Sequence, residues 1–254
     1  MNFFQAIILG IIQGITEWLP ISSSGHLVLA EKILGVEQSI EFSVALHLAS
    51  LIVVLFVFRK EILEIIKGFF RGEKEKLEYV LKLFLASIPI GVVGYFLSDF
   101  IKVLFTDLKT VGFGLIFTSV ILFLSRYPKE KTGKIDYLTS IMMGISQAFA
   151  ILPGISRSGL TISSGMIMGK ERKNVAVFAF LMFIPAIIGA GLYEAQNIIK
   201  ITNISALIVG AIVAFIVGVI SLKLLIKIIE NNKFIYFSIY CLVVGLIILG
   251  TIYL

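Results

Sequence analysis

Six apolar runs, at 39–58, 79–98, 110–126, 175–193, 204–222 and 234–253, are each long enough to cross a bilayer as a helix. No other feature of the chain restricts its fold so strongly. Two further apolar segments, 1–35 and 136–169, are broken in the middle by Pro20-Ile-Ser-Ser-Ser-Gly25 and Pro153-Gly-Ile-Ser-Arg-Ser-Gly159. Each half of a broken segment is too short to cross comfortably, so both segments read as re-entrant helical hairpins that enter and leave by one face. Irregular backbone at membrane depth is tolerated where protein or a wet cavity surrounds it. The fold expected is an all-α integral membrane protein, a single membrane domain over residues 1–254.

The two broken segments resemble each other. At an offset of 134 residues Gly10, Ile11 and Gln13 match Gly144, Ile145 and Gln147. At the same offset Ile21-Ser22-x-Ser24-Gly25 matches Ile155-Ser156-x-Ser158-Gly159, and Ile33 and Gly35 match Ile167 and Gly169. This is an internal duplication, with one copy over about 1–126 and the other over about 136–253. Each copy is one hairpin plus three spans. Three is odd, so the second copy is expected upside down relative to the first, in the manner of inverted-repeat membrane proteins.

Charge tests that expectation. Hydrophobic residues make up 58% of the chain and charged ones only 15%, and the mean hydropathy is +1.04. In a soluble domain a net charge of +6 would suggest nucleic acid. Here the segments 59–78, 126–136, 169–174 and 223–233 carry sixteen of the 22 Lys and Arg, so orientation in a membrane explains the charge and no nucleic acid is expected. The opposite loops hold only Lys32, Lys102, Lys109 and Lys200. The basic segments are therefore expected in the cytoplasm and both chain ends outside, with the two broken tips meeting near the bilayer centre. No Lys or Arg precedes the first apolar run, which contains Glu17, so a cleaved signal peptide is not expected. Segment 60–78 reads as an interfacial amphipathic helix. Pro89 and Pro185 read as kinks within spans.

The polar residues inside the broken segments carry the chemistry. Gln13 and Glu17 are four apart, on one face of a helix, and an ionisable group at membrane depth is a candidate for function. Its plain alternative is a structural pair with Arg157. Ser22, Ser23, Ser24 and Gly25 precede one half-helix; Gly154, Ser156, Arg157, Ser158 and Gly159 precede the other, which holds Thr161. Singly, each Ser is an ordinary helix cap. Facing each other, two helix starts converge free N–H groups and positive dipole ends on one place, which suits phosphate. Arg157 adds a planar, permanently charged fork. His26 follows Ser23 by three residues, and a hydroxyl beside an imidazole is the minimum for an activated nucleophile. The imidazole could equally deprotonate water. Residue types leave Ser23, His26 and water all open as the attacking group. His47 reads as a packing residue, Trp18 as one that either packs or stacks on a lipid tail, and Cys241 as a buried packing thiol. The sequence has no P-loop, paired Cys ligands or His-rich metal box. A divalent cation, Mg²⁺ or Ca²⁺, is feasible on Glu17 and Gln13 if substrate phosphates bridge it.

Gln13-x-x-x-Glu17 with Pro20-x-Ser-Ser-x-Gly-His26, followed by Pro153-Gly-x-Ser-Arg-Ser-x-x-Thr161, resembles the undecaprenyl-diphosphate phosphatase family of bacteria, the bacitracin-resistance type. The likeness covers the whole chain and both motifs in order. It implies a phosphatase of the bacterial cytoplasmic membrane, opening toward the outer face, that converts undecaprenyl diphosphate to the monophosphate carrier reused for peptidoglycan. It also implies dependence on a divalent cation. Glu17, Ser23, His26 and Arg157 match the family's catalytic positions, Gln13 the first position of its Glu/Gln-x-x-x-Glu motif, and Ser156 and Thr161 polar positions of the second motif. Gln13 is neutral where many members carry Glu, which weakens it as a metal ligand. On the mechanism expected, Ser23 attacks, His26 exchanges the proton, and Glu17 orients His26 or helps hold the cation. The rival from another class is a transporter or flippase of a phosphate-bearing lipid or anion, since broken helices at the midplane also mark secondary transporters. Gly210 and Gly218 are small enough to serve helix contacts within the chain or between copies in a homodimer.

Overall fold

The computed structural model describes residues 1–36, 40–105, 107–126, 133–195, 203–230 and 233–253; Lys129, Lys131 and Lys200 lie outside them. The described residues form helices and no strand: α1 (Phe3–Thr16), α2 (Ser23–Leu34), α3 (Ile40–Val57), α4 (Arg59–Phe70), α5 (Lys74–Phe96), α6 (Ser98–Leu104), α7 (Leu108–Leu124), α8 (Tyr137–Phe149), α9 (Arg157–Ile167), α10 (Arg172–Ala195), α11 (Ile204–Glu230) and α12 (Ile235–Tyr253). Five of them, α3, α5, α10, α11 and α12, are long and apolar enough to cross a membrane, and the chain is a multi-pass membrane protein. The sixth expected span, α7, has 17 residues and stands at the lower limit for crossing.

Both broken segments are pairs of short helices. The longest, α1, has 14 residues, roughly 21 Å at 1.5 Å per residue, against a hydrocarbon core of roughly 30 Å. The linking backbone is buried at Glu17, Trp18, Pro20, Ile21 and Ser22, and again at Pro153, Gly154, Ile155 and Ser156. Protein therefore covers the irregular stretches, as their polar groups require.

Some boundaries differ from those expected. The amphipathic helix is α4 alone, because Gly72 takes a left-handed turn (φ 72°) and the charged run from Lys74 becomes the start of α5. Helix α11 continues to Glu230, so Lys223 and Lys227 ride on its last turns instead of a loop. Helix α6 had no signal in the apolar pattern. Pro89 and Pro185 lie inside α5 and α10.

Matching glycines let helices meet backbone to backbone. A Cβ on Gly10 of α1 would lie 2.6 Å from Gly210 O of α11, and one on Gly144 of α8 would lie 2.4 Å from Ala86 O of α5. Gly218 closes on Trp18 and Val53. The small residues Gly210 and Gly218 are thus used within the chain. Helices α7 and α12 pack along each other through Gly112, Gly245 and a Ser119–Ser238 hydrogen bond of 3.2 Å.

The basic segments share one face. Lys134 pairs with Glu75 at 2.7 Å, Lys170 with Asp136 at 2.5 Å, and Lys74, Lys82, Lys134 and Lys173 line a groove of about 690 Å³ beside α4. Glu61, Lys173 and Glu230 line a smaller one on the same face. On the opposite face Asn203 Nδ2 donates to Met1 O (3.3 Å), and Lys109 Nζ lies 5.2 Å over the Tyr253 ring.

Candidate active site

The two hairpin breaks touch. A Cβ on Gly25 would lie 3.2 Å from Gly154 Cα, one on Gly159 would lie 3.3 Å from Pro20 Cβ, and Ser158 Oγ donates to Leu19 O at 3.4 Å. Gly154 is at this position because its φ is +86° and a Cβ would fall 2.2 Å from Val111 O of α7. Thr118 fixes the same break: its hydroxyl accepts from Ser156 N (3.0 Å) and donates to Gly154 O (3.3 Å).

Each break starts a helix in the same way. Ser22 Oγ caps α2 by accepting from Gly25 N (3.3 Å), and Ser156 Oγ caps α9 by accepting from Gly159 N (3.1 Å). Ser22 also meets Ser24 Oγ at 3.2 Å, as Ser156 meets Ser158 Oγ at 3.3 Å. The pairs differ in strain, since Ser22 is the one non-glycine residue with positive φ, at 69°, among those described. With the caps spent on Gly25 and Gly159, the N–H groups of Ser23, Ser24, Arg157 and Ser158 have no acceptor within their helices. Two positive helix ends thus meet at the contact between the hairpins.

Glu17 joins the two halves. One carboxylate oxygen pairs with Arg157 Nη2; the other accepts from Ser23 Oγ and, at 3.2 Å, from Gln13 Nε2. The carboxylate is 5% exposed and the guanidinium 18%, so the pair is desolvated and each charge depends on the other. The guanidinium lies 3.7 Å over the Phe183 ring of α10. Trp18 stands edge-on to Phe180 and Phe183 at 5.9 and 5.5 Å, which resolves its role as packing beneath the site. Gln13 Nε2 also reaches Ser50 Oγ of α3 (3.2 Å).

His26 is held apart from this chain of contacts. Its Nδ1 donates to Ser22 O (2.8 Å), and its Nε2 shares a hydrogen bond of 2.8 Å with the Tyr240 hydroxyl of α12. The Ser23 hydroxyl donates to Glu17, while the two ring nitrogens of His26 are bonded to Ser22 O and Tyr240. Thr161 is buried with its hydroxyl turned back to Arg157 O (2.8 Å), supporting the helix start without joining the cluster. His47, read as a packing residue, donates to Ser43 O (2.9 Å). Cys241 is buried and packs, as expected, with its thiol 3.4 Å from Pro20 O.

Sequence reasoning missed Ser50, Thr118, Phe183 and Tyr240. All four sit in uninterrupted apolar helices, where nothing in the local pattern separates them from neighbours facing lipid. For a cation the donors are few: among the described residues no three His, Cys, Asp or Glu side chains cluster. Gln13 Oε1, however, is buried without a partner beside Glu17, which fits an oxygen kept for a cation that substrate completes.

Residues 6–247 match the family model described as bacitracin resistance protein BacA. The chain is 39% identical to the undecaprenyl-diphosphatase of Bacteroides thetaiotaomicron, over 99% of both chains. It is 40% identical to that of Christiangramia forsetii over 97% of both, and 38% identical to that of Methanobrevibacter smithii over 98% of this chain and 97% of the relative. With motifs, length and nearly every residue aligned in this way, the chain belongs to the bacitracin resistance protein BacA family.

Proposed function

We propose that this protein hydrolyses undecaprenyl diphosphate to undecaprenyl phosphate and inorganic phosphate in the bacterial cytoplasmic membrane, returning the carrier to peptidoglycan synthesis and conferring bacitracin resistance. The observation that carries this reading is the Arg157–Glu17–Ser23 chain, which links two hairpin tips whose helix starts converge. The terminal phosphate lies against those N–H groups and Arg157, and the prenyl tail leaves between helices into lipid. Ser23 attacks the terminal phosphorus as Glu17 takes its proton, and the bridging P–O bond breaks, releasing undecaprenyl phosphate. Water then hydrolyses the phosphoserine. Arg157 and the convergent N–H groups stabilise the charge on the transferred group. His26 exchanges protons from the next helical turn. Gln13 and Glu17 would hold a divalent cation, whose charge would neutralise phosphate oxygens.

Matched glycines and matched caps in the two halves support an inverted repeat, and the shared basic face supports a site opening to the outer side. Transport alone is the weaker reading, because a binding site has no need of a hydroxyl paired with a carboxylate. The test is phosphate release from a detergent-solubilised prenyl diphosphate. Wild type turns over, Arg157→Ala and His26→Ala lose at least 100-fold, on the order of a removed acid–base or oxyanion group, and quenched reactions trap label on Ser23. Lipid movement in vesicles with no phosphate release would overturn the reading, and label on His26 would reassign the nucleophile.

A further inference from the structure

Tyr240 lies on α12, far from both motifs in sequence, and its contacts with His26 are specific. The two rings stack with centroids 5.7 Å apart and planes at 15°, and the hydroxyl is 2.8 Å from Nε2. The next residue, Cys241, is buried with its thiol on Pro20 O, so α12 is fixed to the first break one residue beyond the contact. The other ring nitrogen is committed: a carbonyl oxygen only accepts, so Nδ1 keeps its hydrogen toward Ser22 O, 2.8 Å away. The single basic lone pair of the neutral imidazole is therefore on Nε2, and the Tyr240 O–H donates to it. Ser22, the residue that supplies this carbonyl, is the one with the positive φ.

We propose that Tyr240 is a positioning residue for His26. It fixes the ring plane of the imidazole in the resting site, and it is the hydrogen-bond partner that Nε2 keeps as it gains and loses its proton. When Nε2 takes up a proton, the new N–H donates to the phenolic oxygen, and the phenol turns its own hydrogen outward. Both protonation states keep a hydrogen bond, and no bond to carbon or phosphorus changes. Tyr240 is 42% exposed, so its hydroxyl has room to turn, whereas the Glu17 side chain is 5% exposed. The inference rests on the proposal that His26 exchanges protons during phosphate release.

Two measurements test it. Tyr240→Phe keeps the stacked ring and removes the hydroxyl, so kcat on a prenyl diphosphate falls roughly tenfold, the size of one charge-assisted hydrogen bond, while KM stays within about twofold. The chain has only two histidines, so ¹⁵N-histidine spectra of the full-length protein in detergent resolve His26 by comparison with His47→Gln. The His26 Nε2 resonance moves in Tyr240→Phe as its donor is lost, and Nδ1 stays protonated. An unchanged kcat, or a fall in kcat with an unmoved Nε2 resonance, overturns the role of Tyr240. Full activity in His26→Ala overturns instead the proton exchange at His26.

Discussion

Glu17 and Arg157 hold each other in a place that neither charge would occupy alone. Removing one partner of a desolvated pair leaves the other unpaired, a cost of roughly 3–5 kcal/mol, whereas removing both costs far less. Glu17→Gln and Arg157→Gln are each expected to lower the melting temperature in detergent sharply, and the double variant to melt above both. All three stay inactive. Additive losses of stability would show that the pair contributes nothing to the contact between the hairpins. Residues of this kind are legible in sequence because they are polar islands in apolar surroundings: Glu17, Ser23, His26 and Arg157 are conspicuous for that reason alone. Ser50, Thr118, Phe183 and Tyr240 are not. In a bilayer the outside of a helix is as apolar as its inside, so hydropathy does not reveal which face of α3, α7, α10 or α12 meets the site. The direction of a hydroxyl is equally hidden, and spacing that put Ser23 beside His26 left unseen that Ser23 turns to Glu17.

The helices are positioned by close approach where glycine permits it and by caps where chains enter. Gly10→Ala and Gly144→Ala each drive a Cβ into a neighbouring carbonyl, Gly210 O or Ala86 O, and backbone cannot step aside as a side chain can. Each is expected to cost roughly 1–3 kcal/mol. Gly91→Ala, on α5 with nothing within 4 Å, is expected to be neutral or slightly stabilising. Equal melting temperatures for the three variants would remove the argument for backbone contact. At the entrance to α8, Asp136 caps the helix by accepting from Thr139 N (2.8 Å) and ties it to the end of α9 through Lys170. Partial burial pushes its carboxyl upward, but Lys170 and the Thr139 N–H outweigh that and hold it at about 2, below its ordinary 3.8. A carboxyl held low in the folded state contributes fully above pH 4 and loses that contribution as pH falls from 4 toward 2. Asp136→Asn keeps a competent cap and loses only the ion pair, which is half exposed, so the effect stays within about 1 kcal/mol. Its melting temperature should lie slightly below wild type at pH 6 and approach it as the pH falls through about 2. A gap of constant size across that range would assign the difference to the cap instead.

The whole molecule has two unlike ends, and the reading of the site depends on which end faces the cell interior. Arg71 and Lys134 lie on the basic face with side chains 73% and 78% exposed, while Tyr253, 64% exposed, ends α12 beside Lys109 on the other. Positive charge resists translocation, so the proposed orientation puts the basic face in the cytoplasm. That orientation would turn the open side of the first hairpin toward the outer surface. The chain's single cysteine, Cys241, is buried, and Cys241→Ser gives a background in which introduced thiols report alone. In intact cells a membrane-impermeant maleimide is expected to label Tyr253→Cys and to spare Arg71→Cys and Lys134→Cys until the cells are permeabilised. Each variant is first checked for phosphate release, so that labelling reports on active protein. Labelling of Arg71→Cys from outside would invert the molecule and put the diphosphate on the cytoplasmic leaflet. Labelling of all three in intact cells would mean that the chain inserts both ways.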